Sequence, residues 1–79
     1  MEKLEEETLK MLKKIESLVD KVETNSDKGK EMLENMKAYI ADSRHFLNQK
    51  DFIKAFESVV WSWAIMEICE ELCYFKIEK

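Results

Sequence analysis

The sequence predicts an all-α protein, an up-down-up three-helix bundle that pairs into a homodimer through its third helix. Three observations carry this expectation. The 79 residues contain no proline and a single glycine, Gly29, so there is almost no material for the repeated turns that strands require. Three segments repeat apolar residues at helical spacing. The third of them, "AFESVVWSWAIMEICEELCYF" (55–75), is apolar nearly all the way round, whereas a surface helix normally keeps a polar face. A single domain over 1–79 is expected. At this size folding buries only roughly 60% of the unfolded surface, a thin margin that oligomerisation commonly widens.

Helix 1 is expected from about Glu2 to Thr24. Leu4, Met11, Ile15, Leu18 and Val22 follow a three-four spacing with Thr8 in the missing position, and mixed Glu and Lys fill the solvated side. In the turn "TNSDKG", Asn25 or Ser26 can cap the next helix, with Asp27 in its first turn. Gly29 either belongs to that turn or ends the loop with positive φ. Helix 2 is expected over about Lys28–Asn48. Its broad apolar face carries Met32, Leu33, Met36, Tyr39, Ile40, Phe46 and Leu47, and Ser43 at its centre lets a neighbouring helix approach. The short "NQKD" turn makes helices 2 and 3 antiparallel neighbours, with Asp51 as N-cap.

Helix 3 is expected from Phe52 to about Lys76, with two apolar stripes roughly opposite each other. Phe52, Phe56, Val59, Trp63, Met66, Cys73 and Ile77 form the first, interrupted at Glu70, and helices 1 and 2 can cover it. The predicted core is Ile15, Met36, Phe46, Phe56, Val59, Trp63 and Met66. Trp61, Ile65, Ile68, Leu72 and Phe75 form the second stripe, spaced four, three, four, three. Left in water it would present an apolar patch of several hundred Å², which soluble monomers avoid. Heptad spacing suits another helix, most simply a second copy, so these five residues are the predicted dimer interface. The alternatives are a displaced helix 1 over part of this stripe, an unidentified protein partner, or a groove ligand. Glu70 is the weakest point: if it faces the core, the last turns of helix 3 project beyond helices 1 and 2.

Composition narrows the function. The net charge is −4 and there is no Lys/Arg-rich run, which argues against nucleic acid. The longest uncharged run, Ser58 to Met66, is far short of a membrane span, and "MEKLEEETLK" does not read as a targeting signal. Cys69 and Cys73, four apart on one helix, are poorly placed to bridge, and free thiols point to the cytoplasm. They supply two of the four ligands a structural zinc needs, so neither metal nor cofactor is expected. Cys73 falls on the core stripe and Cys69 between the stripes.

No catalytic set emerges. Asp42 and Glu67 are acids in apolar surroundings, but in an antiparallel hairpin residue x lies level with about residue 99 − x. Asp42 is then level with Glu57, and about 15 Å along the axis separates it from Glu67, too far for a dyad. His45 has no nucleophile beside it. Trp61 and Trp63 point to nearly opposite faces, Trp63 to the core and Trp61 to the interface.

The segment "AYIADSRHFLNQKDFIKAFESVVWSWAIMEI" (38–68) resembles an archaeal family, domain of unknown function 357. The matching positions are Ala38-Tyr39, Asp42-Ser43, Phe46-Leu47, Asp51, Ala55-Phe56, the Trp61 to Ile65 stretch and Glu67. Lys50 departs from the family's usual glycine, and Cys69 and Cys73 stand where small residues are usual. The resemblance implies a helical bundle from an archaeal cytoplasm and no activity. "DSRHFLNQKDFIKAFESVVWSWA" also looks loosely like the hairpin of HEPN-like domains, although Arg44 and His45 lack the spacing of the helical ribonucleases. The expected function is a non-enzymatic interaction or assembly module. The alternative is an accessory or substrate-binding domain for a nucleotide-handling partner, which would need Arg44, Lys37 and Lys54 to converge on a pocket.

Overall fold

Three helices make up most of the chain in the computed structural model, which describes residues 3–78. They are α1 (Lys3–Val19), α2 (Asp27–Asn48) and α3 (Phe52–Glu71). Two short strands, β1 (Val22–Glu23) and β2 (Lys76–Ile77), pair antiparallel, Val22 opposite Ile77 and Glu23 opposite Lys76. The expected start of helix 1 at Glu2 lies outside the described residues.

Side chains set the helix starts. Ser26 caps α2, its Oγ accepting from the Gly29 amide at 3.0 Å, and Asp51 caps α3 by accepting from the Lys54 amide at 3.2 Å. Gly29 therefore belongs to the first turn of α2. It needs no positive φ, but a Cβ there would come within 2.7 Å of the Tyr74 carbonyl oxygen. The glycine lets the returning C-terminal segment lie directly against α2.

Both α2 and α3 end in the same way, with a left-handed residue that is not glycine. Lys50 has φ 61° and Cys73 has φ 64°. After α2, the Lys50 amide donates to the Leu47 carbonyl and the Asp51 amide to the Phe46 carbonyl. After α3, Cys73 donates to Glu70 and Tyr74 to Cys69. This is the Schellman pattern, which satisfies carbonyls that a helix end otherwise leaves unpaired. It also turns the chain sharply, so α3 stops at Glu71 rather than running on to Lys76.

Two expectations are thereby corrected. Helix 1 ends at Val19, not Thr24, because Val22 and Glu23 leave the helix to pair with β2. The end of helix 3 does not project beyond the bundle. The chain folds back, Phe75 is only 3% exposed within the core cluster, and β2 clamps to β1. Phe75 is consequently not an exposed interface residue. A ring that finds a pocket inside its own chain is withdrawn from any second copy.

The core differs in detail from the predicted stripe. The deepest face of α3 is mostly small: Ala55, Ser58, Val59, Ser62, Met66 and Cys69. Opposite it lie Met36, Ile40 and Ser43 of α2, and Leu12 and Ile15 of α1 complete the interior. Ile15, Met36, Val59 and Met66 are buried as expected, whereas Phe46, Phe56 and Trp63 are only half-buried. Large rings cannot sit where two helices approach closely, so they lie at the flanks. Trp63 reaches α1, where its Nε1 donates to the Met11 carbonyl at 3.1 Å. The cysteines also differ from expectation: Cys69, expected between the stripes, is buried, and Cys73, expected on the core stripe, sits at the left-handed turn and is exposed. Burial raises the Cys69 thiol pKa above its ordinary value, with the Lys28 charge acting weakly against it.

Truncating a buried aromatic ring typically costs about 3–5 kcal/mol, so Phe75→Ala should lower stability by that order in urea unfolding. A loss below about 1 kcal/mol would mean that the return segment does not seal the core. Lys50→Gly should act in the other direction. Relief of the left-handed penalty outweighs the added freedom of the unfolded glycine by about 0.5–1 kcal/mol, raising the thermal midpoint by a few degrees.

Candidate functional site

The α2–α3 hairpin fixes where the free surface lies. Its turn is short, and Ser43, fully buried, donates its hydroxyl to the Ala55 carbonyl at 2.8 Å. Tyr39 stacks on Trp61, ring centroids 6.3 Å apart and planes 22° from parallel, while Lys54 lies 5.6 Å over the Phe46 ring. These three pairs obey the register in which residue x stands level with about 99 − x. The Tyr39–Trp61 and Phe46–Lys54 pairs also define one flank of the hairpin.

Along that flank runs an open groove of about 520 Å³, lined by Met32, Asn35, Ala38, Tyr39, Asp42, Trp61 and Ile65. Beside it α3 presents a row of exposed apolar side chains: Ile53 (68% exposed), Val60 (39%), Trp61 (57%), Ile68 (55%) and Leu72 (59%). Of the five predicted interface residues, Trp61, Ile68 and Leu72 are thus open to solvent. Ile65 is half-buried against the core, and Phe75 is inside it. Ile53 and Val60 were missed as members of this surface. A helical wheel places both on its arc, but weighting the four-three-four spacing from Trp61 onward hid them.

The opposite flank is closed by α1. Arg44 grips Glu16 with two hydrogen bonds, Nε to Oε2 at 3.0 Å and Nη2 to Oε1 at 2.7 Å, tying α2 to α1. The paired guanidinium holds the Glu16 carboxyl below its ordinary range, and donating to Glu16 raises the Arg44 pKa above its ordinary value. Lys54 sits 3.9 Å from Asp51, and Lys37 is exposed on α2. Arg44, Lys37 and Lys54 therefore do not converge on a pocket for phosphate.

Other candidate chemistry is equally dispersed. Asp42 lines the groove, Glu67 is exposed on α3, and His45 packs edge-on to Phe46 at the surface. Glu70 is half-buried at the last turn of α3. Among the described residues there is no group of three or more His, Cys, Asp or Glu that could hold a metal ion. No described helix is long and apolar enough to cross a membrane.

Comparison with known proteins places this arrangement. Residues 3–75 match the family described as Protein of unknown function (DUF357). The chain belongs to the DUF357 family. A crystal structure of a DUF357 protein from Archaeoglobus fulgidus is similar over nearly the whole length. It is 41% identical and superposes with a TM-score of 0.87, covering 95% of this chain and 93% of that one. No curated protein matches the chain. The left-handed Lys50 of this DUF357 chain explains why a glycine suits that position, and the same holds for Cys73.

The Glu16–Arg44 pair gives a pH-dependent contribution of definite sign. Because the folded carboxyl ionises at lower pH than the unfolded one, the stabilisation is complete above the unfolded value and is lost as pH falls through the depressed folded value. Both groups are partly solvated, so Glu16→Gln should cost no more than about 1 kcal/mol at pH 7. Urea unfolding at pH 7 and pH 3 should show wild type and variant converging at the lower pH. A gap that persists undiminished would show that the carboxylate charge is not what Arg44 recognises.

Proposed function

We propose that this DUF357 protein is a non-enzymatic interaction module, an up-down-up bundle that assembles into a homodimer through the exposed face of α3. The observation that carries this reading is the solvent-facing row Ile53, Val60, Trp61, Ile68 and Leu72. Together these side chains expose on the order of 600 Å², the upper end of the largest apolar patch on ordinary soluble monomers. Two copies covering one another would bury about 1,200 Å², the lower end of stable interfaces.

The occupant is a helix rather than a small molecule. The groove beside Tyr39 and Trp61 is shallow and open, whereas small-ligand sites enclose most of their ligand. The apolar row is instead long and follows helical spacing, as helix-in-groove contacts do. Trp61 at its centre is the residue type that most often dominates interface energies. Two free cysteines fit a reducing, cytoplasmic setting. Against the nucleotide-handling alternative stands the engagement of Arg44 by Glu16 and the separate positions of Lys37 and Lys54.

Light scattering behind size exclusion tests this on the native protein and on Trp61→Glu combined with Ile68→Glu. The native protein should have twice the chain mass. The variant should be a single chain with unchanged helical circular dichroism, since both positions are exposed. A native protein of single-chain mass would overturn self-association.

A further inference from the structure

The direction and register of the dimer are also legible in α3, provided that the self-association proposed above holds. The centre line of the exposed face is Ile53, Glu57, Trp61, Ala64, Ile68 and Leu72. Its spacing is four, four, three, four, four, which reads the same from either end. A twofold antiparallel pair of helices sets residue x opposite residue c − x of its partner, so a face whose spacing reads the same from either end brings each of its residues opposite another member of that face. Here c is 125, with the axis passing between Ser62 and Trp63.

We infer that two copies dock α3 against α3 antiparallel in this one register. Ile53 then meets the partner's Leu72. Trp61 lies over the partner's Ala64, a small residue that leaves room for an indole. Glu57 falls opposite the partner's Ile68, and its long side chain has to turn from the centre line to the edge of the seam to keep its carboxylate in water. Beside the seam, Lys54 stands level with the partner's Glu71, and the symmetry repeats this pair at the other end.

Parallel packing brings the opposite result. It places Glu57 against the partner's Glu57, Glu71 against the partner's Glu71 and Lys54 against the partner's Lys54. Like charges directly opposed across an interface act against association. It also stacks the two bulkiest side chains, Trp61 on the partner's Trp61, and leaves Ala64 facing Ala64. Reversal therefore sets Lys54 level with an acidic residue of the partner, whereas parallel packing sets Lys54, Glu57 and Glu71 each against its own kind.

Cys73 offers a native reporter, because it is exposed just past the end of α3 while Cys69 is buried. A nitroxide on Cys73 in a Cys69→Ala background should give an intermolecular distance of about 30–40 Å by pulsed dipolar spectroscopy. In the inferred register Cys73 is level with residue 52 of the other copy, about 30 Å along the axis from its counterpart. A dimer with labels closer than about 20 Å, or a distance well beyond 40 Å, would overturn this docking and leave self-association standing. A labelled protein of single-chain mass would overturn both.

Charge exchange supplies a second readout. Lys54→Glu and Glu71→Lys should each weaken dimerisation about tenfold, since attraction becomes repulsion at two symmetric places. The double exchange should return the dissociation constant to within about threefold of wild type. Within one chain the two residues are about 25 Å apart along the helix, so rescue can only pass between copies. Absence of rescue in a folded protein would overturn the register.

Discussion

The close approach of α2 to α3 is the constraint on which the rest of the structure depends. It is made by small side chains: Ser43 on one helix, and Ala55, Ser58 and Ser62 on the other. The Ser43 hydroxyl donates to the Ala55 carbonyl in a site fully closed to water, where an unpaired hydroxyl would be costly. With the backbones this close, the seam has no room for rings. Phe46, Phe56 and Trp63 are displaced to the flanks, and the flanks then decide where the third helix can lie.

One flank is closed twice over. Helix α1 lies along it, held by the Trp63 hydrogen bond to Met11 and by the bidentate Arg44–Glu16 pair. The C-terminal segment closes the end of the bundle, with Phe75 in the core and β2 on β1. This return exists because the chain can turn at Cys73 and because Gly29 leaves space for the Tyr74 carbonyl. Residues from the α1–α2 connection, the start of α2 and the chain's last segment thus form one closure.

The other flank receives no such cover. Trp61 gains a stacking partner in Tyr39 but remains more than half exposed, and Ile68 and Leu72 have no larger element over them. The same geometry that engages Arg44 with α1 keeps Arg44, Lys37 and Lys54 from gathering into an anion site. An apolar face flanked by separate charges suits helix recognition better than chemistry on a small substrate. Under the proposed function, specificity lies in the arrangement of α3 side chains rather than in a pocket.

The sequence alone determined the helical class, the hairpin register and most of the exposed face. Those features follow from local rules: helical spacing, the capping residues Ser26 and Asp51, the scarcity of glycine and proline, and the short turn that makes two helices neighbours. Tertiary structure decided the rest. Helical spacing places Phe75 on the same stripe as Trp61, and nothing local shows that the helix stops at Glu71. The left-handed turn at a cysteine is worth making only because burial of Phe75 and pairing of Val22 with Ile77 reward it. The same turn takes Cys73 off the core stripe and exposes it, while the close α2–α3 seam moves the rings to the flanks. Which face of a nearly all-apolar helix is deepest depends on how closely its neighbour packs, and that distance is set by contacts far apart in sequence.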